Sequence, residues 1–166
     1  MTQYLASHQL ELIATCSGLV NIYLAARANI WNWFFGIITV SLYLIIFLQV
    51  KLYADMALQM VFFCLQFYGF YQWRYGAAQR TPLQVQSANV STICNLAFIT
   101  LAAFASIACL LHFYTDSKTV MLDAAVTALS LVAQWMMSKK WLEHWLLWML
   151  VDVISVIMYL SKQLYF

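Results

Sequence analysis

The sequence predicts an all-α, multi-pass membrane protein, on three observations. Its 166 residues are 65% hydrophobic and only 8% charged, where soluble domains carry about 25% charged residues. Its apolar residues run in continuous stretches near the ~20 residues that a spanning helix needs. It has four Gly and one Pro, too few turn signals for a β-barrel, which would also alternate apolar and polar residues in segments of about ten.

Six helices are expected, at 9–26, 30–49, 54–73, 91–113, 121–138 and 141–160. The first holds Glu11 and lacks a basic leader followed by a small-residue cleavage site, so it reads as a span rather than a signal peptide. The second is a near-unbroken apolar run from Trp33. The third carries Gln59, Phe63, Gln66, Phe70 and Trp73 on one face, with Tyr68, Tyr71 and Tyr75 beside them. Two amides within a span are costly unless they face protein or a cavity, which makes Gln66 and Tyr68 candidate ligand contacts. The segment 75–88 then holds the only Pro and divides the chain. The fourth stretch, 91–113, is a plain apolar helix. The fifth aligns Asp123, Thr127, Ser130 and Gln134 on one face, with Gln134 and Thr127 suited to a ligand amide or hydroxyl. The sixth aligns Trp141, Trp145, Trp148, Asp152, Ser155 and Tyr159. Indole faces attract rings and cations, and a carboxylate within a span marks a functional site by default. Trp145, Trp148 and Asp152 are therefore the leading binding candidates.

An internal repeat crosses the divide. Sliding 10–54 onto 122–166 without a gap matches Leu10 with Leu122, Thr15 with Thr127, Trp33 with Trp145 and Leu52–Tyr53 with Leu164–Tyr165. Glu11 meets Asp123 and Arg27 meets Lys139. Two parallel three-helix repeats in a single membrane domain (1–166) are expected: a first bundle at 9–73, a linker helix at 91–113 and a second bundle at 121–166. The second bundle is incomplete, because a seventh helix should begin where the sequence stops. It is expected to be a truncation or to be completed by another subunit.

Basic residues sit at span ends. Arg27, Arg74, Arg80, Lys139 and Lys140 fall on one side, and Lys51, Lys118 and Lys162 on the other. The excess puts the first group in the cytoplasm and the N-terminus outside. No basic cluster suggests nucleic acid. Cys16, Cys64, Cys94 and Cys109 show no CxxC spacing and are expected to be small buried apolar residues. The histidines lie at span ends, which disfavours a bis-histidine haem site. With no phosphate loop and no catalytic constellation, neither a cofactor, a metal nor an enzyme is expected.

Three motifs carry a resemblance: Tyr68–Gly69–Phe70–Tyr71 with Trp73 closing helix three, Lys140, Glu143, Trp145 and Trp148 opening helix six, and the polar residue Asp152. On these the chain resembles the PnuC family of bacterial vitamin transporters over nearly its whole length. The resemblance implies a seven-helix fold with a plan related to the SWEET sugar transporters, in a bacterial inner membrane. It implies facilitated-diffusion uptake of a small-molecule vitamin, nicotinamide riboside first, with trapping by a cytoplasmic kinase. Some nicotinamide riboside members carry Asn where this chain has Asp152, so thiamine and riboflavin stay as alternatives. A non-transporting membrane anchor subunit is the rival reading. A homo-oligomer in the lipid bilayer is left open.

Overall fold

The computed structural model describes residues 2–49, 53–76, 83–114 and 119–161. Lys51, Arg80, Lys118, Lys162 and the repeat's tail at Leu164–Tyr165 lie outside the described residues. The described chain is helical: α1 (Thr2–Ala26), α2 (Trp31–Gln49), α3 (Tyr53–Tyr75), α4 (Val90–Tyr114), α5 (Val120–Ser138) and α6 (His144–Ser161). Helices α2, α4 and α5 are long and apolar enough to cross a membrane. The surface is apolar too: Phe98, Leu101 and Phe113 on α4 are exposed, and only 6% of that helix's most apolar window is buried. Lipid is the solvent that such a surface fits. All four cysteines are exposed rather than buried, as a weakly polar thiol facing hydrocarbon permits.

The chain divides into two compact units, Met1–Val85 with Ser138–Lys140, and Gln86–Met137 with Trp141–Phe166. In the first unit, α2 packs against both α1 and α3. Ser17 Oγ donates to the Phe35 carbonyl at 3.1 Å, and Thr39 Oγ1 lies 3.0 Å from Ser17 Oγ. Small hydroxyl residues of this kind hold apolar helices together where no hydrophobic force separates helix from lipid. On its other side, α2 turns Trp33, Gly36 and Val40 inward. Gly69 of α3 has no Cβ, so the Trp33 ring lies directly on its backbone. Trp33 also meets Trp73 edge-on, with centroids 5.3 Å apart at 88°.

In the second unit, Leu96 of α4 joins Val132 and Met136 of α5, with Trp135, Trp141 and Leu147 against them. Asn89 caps α4, its Oδ1 accepting from Thr92 N at 2.7 Å.

The α1–α2 and α5–α6 turns share one backbone frame. Asn29 N donates to Leu24 O, Asn32 N to Asn29 O and Trp33 N to Ile30 O. The same three bonds join Trp141 to Met136, His144 to Trp141 and Trp145 to Leu142, residue for residue at the offset that carries Leu10 onto Leu122. Ala28 and Lys140 occupy matching places with positive φ of 49° and 55°, the only non-glycine examples among the described residues. The left-handed residue breaks each helix, so α6 begins at His144 rather than at 141. Trp141 therefore lies off the helix. It forms a parallel bridge with Gln86 and stands edge-on to Trp135.

Candidate functional site

In the first unit, Gln66 is 5% exposed, and its amide rests on the bare backbone of Gly36. A Cβ at this position would stand 2.5 Å from Gln66 Oε1 and push the amide aside. Beside Gly36 on α2 lie Asn32 and Trp33, both fully buried. Neither amide atom of Asn32 nor Trp33 Nε1 has a hydrogen-bond partner, and Asn21 Oδ1 on α1 is likewise unpaired. An unpaired buried amide atom costs about 1–3 kcal/mol, so the first unit encloses a set of unmet donors and acceptors.

Sequence periodicity missed Asn32 and Trp33, since an Asn at a helix start reads as a cap. The capping is done by Asn29, whose Oδ1 accepts from Trp31 N at 3.0 Å, and this leaves the Asn32 side chain free to turn inward. Tyr68 is turned away from Gln66, two residues along the helix. Its hydroxyl accepts from Gln72 Nε2 at 2.8 Å, and Lys139 Nζ stands 5.4 Å from its ring centroid.

In the second unit, Gln134 and Ser130 are buried one turn apart on α5, 6% and 5% exposed. Among the described residues nothing bonds to either group, nor to the Gln66 amide. Because none of these polar atoms is fully closed off and orphaned in the way Asn32 is, each keeps a little open surface. Thr127 lies on the same face, but its hydroxyl donates to the Asp123 carbonyl of its own helix at 2.9 Å. Ser130, not singled out from sequence, is the freer neighbour of Gln134.

On α6, Val151 and Met158 are buried, while Trp145, Trp148 and Ser155 are half-buried and Asp152 is exposed. The indole–carboxylate stripe thus runs along the margin of the buried face, with Trp148 and Ser155 nearer to it than Trp145 and Asp152. The Trp145 ring lies over His144 at 4.8 Å.

The turn before α6 is tied down by charge. Glu143 accepts from Ala88 N through both carboxylate oxygens, at 3.0 and 3.2 Å, and that bond holds its carboxyl below the usual range. Lys140 Nζ donates to Leu83 O at 2.7 Å and stands 4.4 Å from the Trp73 ring centroid. Among the described residues no group of three or more His, Cys, Asp or Glu could hold a metal ion.

Apolar, outward-facing helices that bury neutral amides, and in the first unit an indole, within each unit's own packing define a polytopic membrane protein rather than a soluble one. The model of the nicotinamide mononucleotide transporter family matches residues 8–166, and the chain belongs to that family. It is 30% identical to a nicotinamide riboside transporter PnuC of Escherichia coli, over 94% of this chain and 76% of the relative. Identity to the Neisseria mucosa protein of the same name is 26%, over 89% and 58%. A crystal structure of the vitamin B3 transporter PnuC superposes with a TM-score of 0.75 at 27% identity, covering 91% of this chain and 66% of the solved one.

Proposed function

We propose that the chain is a membrane transporter that takes up nicotinamide riboside rather than its phosphorylated mononucleotide. The observation that carries this choice is the placement of charge. Among the described residues, every Lys and Arg (Arg27, Arg74, Lys139 and Lys140) lies at or just beyond a helix end, so none of them waits inside a span for a phosphate. Two carboxylates stand well inside helices, Glu11 of α1 and Asp152, the ninth residue of α6. The riboside carries a cationic pyridinium ring and a neutral sugar. The mononucleotide adds an anion that these helices do not match.

In this reading Trp148 and Trp145 stack on the ring and Asp152 balances its charge. Gln134 and Ser130 of the second unit bond the carboxamide and sugar hydroxyls, with Thr127 beside them; in the first unit, Gln66 is a further candidate ligand contact, with Tyr68 near it. Two parallel repeats account for the shared turn frame around Ala28 and Lys140. Transport runs by facilitated diffusion with alternating access, and a cytoplasmic kinase traps the product by adding charge. The N-terminus lies outside the inner membrane, by the excess of basic residues on the opposite side. Thiamine is the second reading, because it too is a cationic ring that suits Asp152.

Calorimetric titration of the purified chain in detergent tests the choice. Nicotinamide riboside is expected to bind, and the mononucleotide at least about tenfold more weakly. Trp148→Ala should weaken riboside binding by about tenfold or more, the scale of a desolvated cation–π contact, without lowering thermal stability. Equal affinity for riboside and mononucleotide would overturn the reading, as would an unchanged Trp148→Ala.

A further inference from the structure

One cavity of the first unit lies away from the polar residues above. It is a groove of about 570 Å³ between α2 and α3, lined by Trp31, Phe34 and Ile37 on one side and Phe67, Phe70 and Arg74 on the other. Trp31, Phe34, Phe67 and Phe70 are all exposed, so the groove opens outward from the first unit. Phe70 thus parts company with Gln66 and Trp73, which face inward.

The groove has a polarity. Because α2 and α3 run antiparallel, Arg74 and Trp31 share one end while Ile37 and Phe67 share the other. Seven residues separate the ends, about 10 Å at 1.5 Å per residue. That is about a third of the ~30 Å hydrocarbon core. One end therefore has a guanidinium and an indole, the pair expected at the headgroup level, and the other has only hydrocarbon and aromatic rings. Among the described residues no carboxylate or other partner engages Arg74.

We infer that this groove is a binding site for one anionic phospholipid. The headgroup phosphate pairs with Arg74, and the upper part of an acyl chain lies along Phe70, Phe34 and Ile37. A lipid has this same order of charge followed by hydrocarbon, with the charge at the membrane surface. A partner helix would need an apolar strip across the whole membrane, and this groove ends after two turns. A water-soluble anion would leave the aromatic walls unused. The guanidinium fork suits phosphate oxygens bidentately, and a positive pocket between helices at the membrane surface is the setting in which such headgroups are held.

Native mass spectrometry of the full chain released from detergent tests the site, with dioleoyl phosphatidylglycerol, dioleoyl phosphatidylcholine and inorganic phosphate as probes. The wild type is expected to retain phosphatidylglycerol about tenfold better than phosphatidylcholine. Arg74→Gln should erase that preference with helicity unchanged by circular dichroism. Ile37→Trp, which fills the inner end, should lower retention of both lipids. Equal retention of the two lipids by the wild type would overturn the proposal. So would a preference that survives Arg74→Gln, competition by inorganic phosphate at the lipid's own potency, or a second copy of the chain that lipid fails to displace.

Discussion

Replacing Gly69 by Ala tests the packing that sets the first unit's inner face. The added methyl would overlap three carbons of the Trp33 six-membered ring, Cη2, Cζ3 and Cζ2. That ring cannot yield easily, because Trp33 is fully buried and braced edge-on by Trp73 at 5.3 Å. Overpacking a filled site costs about 1–3 kcal/mol, and overlap with three atoms of a rigid ring belongs at the upper end. Glycine to alanine within a helix returns about 1 kcal/mol through backbone entropy. The net expectation is a loss of about 2 kcal/mol, which lowers the melting temperature by about 4–8 °C in a chain of this size. The assay is thermal unfolding of the purified protein in detergent, followed by tryptophan fluorescence. Gly18→Ala is the matched control, because its methyl would meet only Thr39 Cγ2 at 3.7 Å, an ordinary contact. Trp33→Leu should remove most of the penalty of Gly69→Ala when the two are combined, a coupling of about 0.5–3 kcal/mol. A Gly69→Ala protein as stable as wild type, or a Gly18→Ala protein equally destabilised, would refute the reasoning.

Gly36→Ala should instead keep the melting temperature and weaken riboside binding, since the methyl meets the flexible end of Gln66, which can swing aside only by moving its amide; unchanged affinity in a titration would remove Gln66 from the site. Glu143 has its carboxyl pulled below the ordinary value by Ala88 N, so its contribution is complete above the unfolded value of about 4.3 and is lost as pH falls through the lower folded value. Thermal stability of the wild type should fall in that acid window, and Glu143→Gln should lack the step. Lys140 holds a positive φ of 55° while donating to Leu83 O. Lys140→Ala and Lys140→Gly both lose that bond, but Gly should be the more stable by about 1 kcal/mol because it sheds the left-handed penalty; denaturant or thermal titration of the pair checks the sign.

Helix number and approximate bounds were readable because apolar run length is a direct property of sequence. The start of α6 was not: Trp141 extends the periodic stripe on paper, but Lys140 adopts a left-handed conformation that periodicity does not encode. Gln66 and Gln134 stood out as amides in apolar runs, and both prove buried and unbonded among the described residues. Thr127 and Ser130 looked alike from spacing alone. They differ through one hydroxyl rotation, which ties Thr127 to the Asp123 carbonyl. Asn32 was hidden because a helix-start Asn has two fates, capping or burial, and only the neighbouring cap by Asn29 decides between them. The cysteines were misjudged because in a membrane protein small apolar side chains gain nothing from leaving the lipid face.

The central claim is that this protein moves the riboside and not the mononucleotide. Counterflow in liposomes containing only the purified protein tests it most directly. With unlabelled nicotinamide riboside inside, external labelled riboside should accumulate transiently without ATP or an ion gradient, Trp148→Ala should abolish that accumulation, and labelled mononucleotide should not enter. Accumulation of the mononucleotide at a comparable rate, or no counterflow of riboside by protein that binds it, would contradict the account.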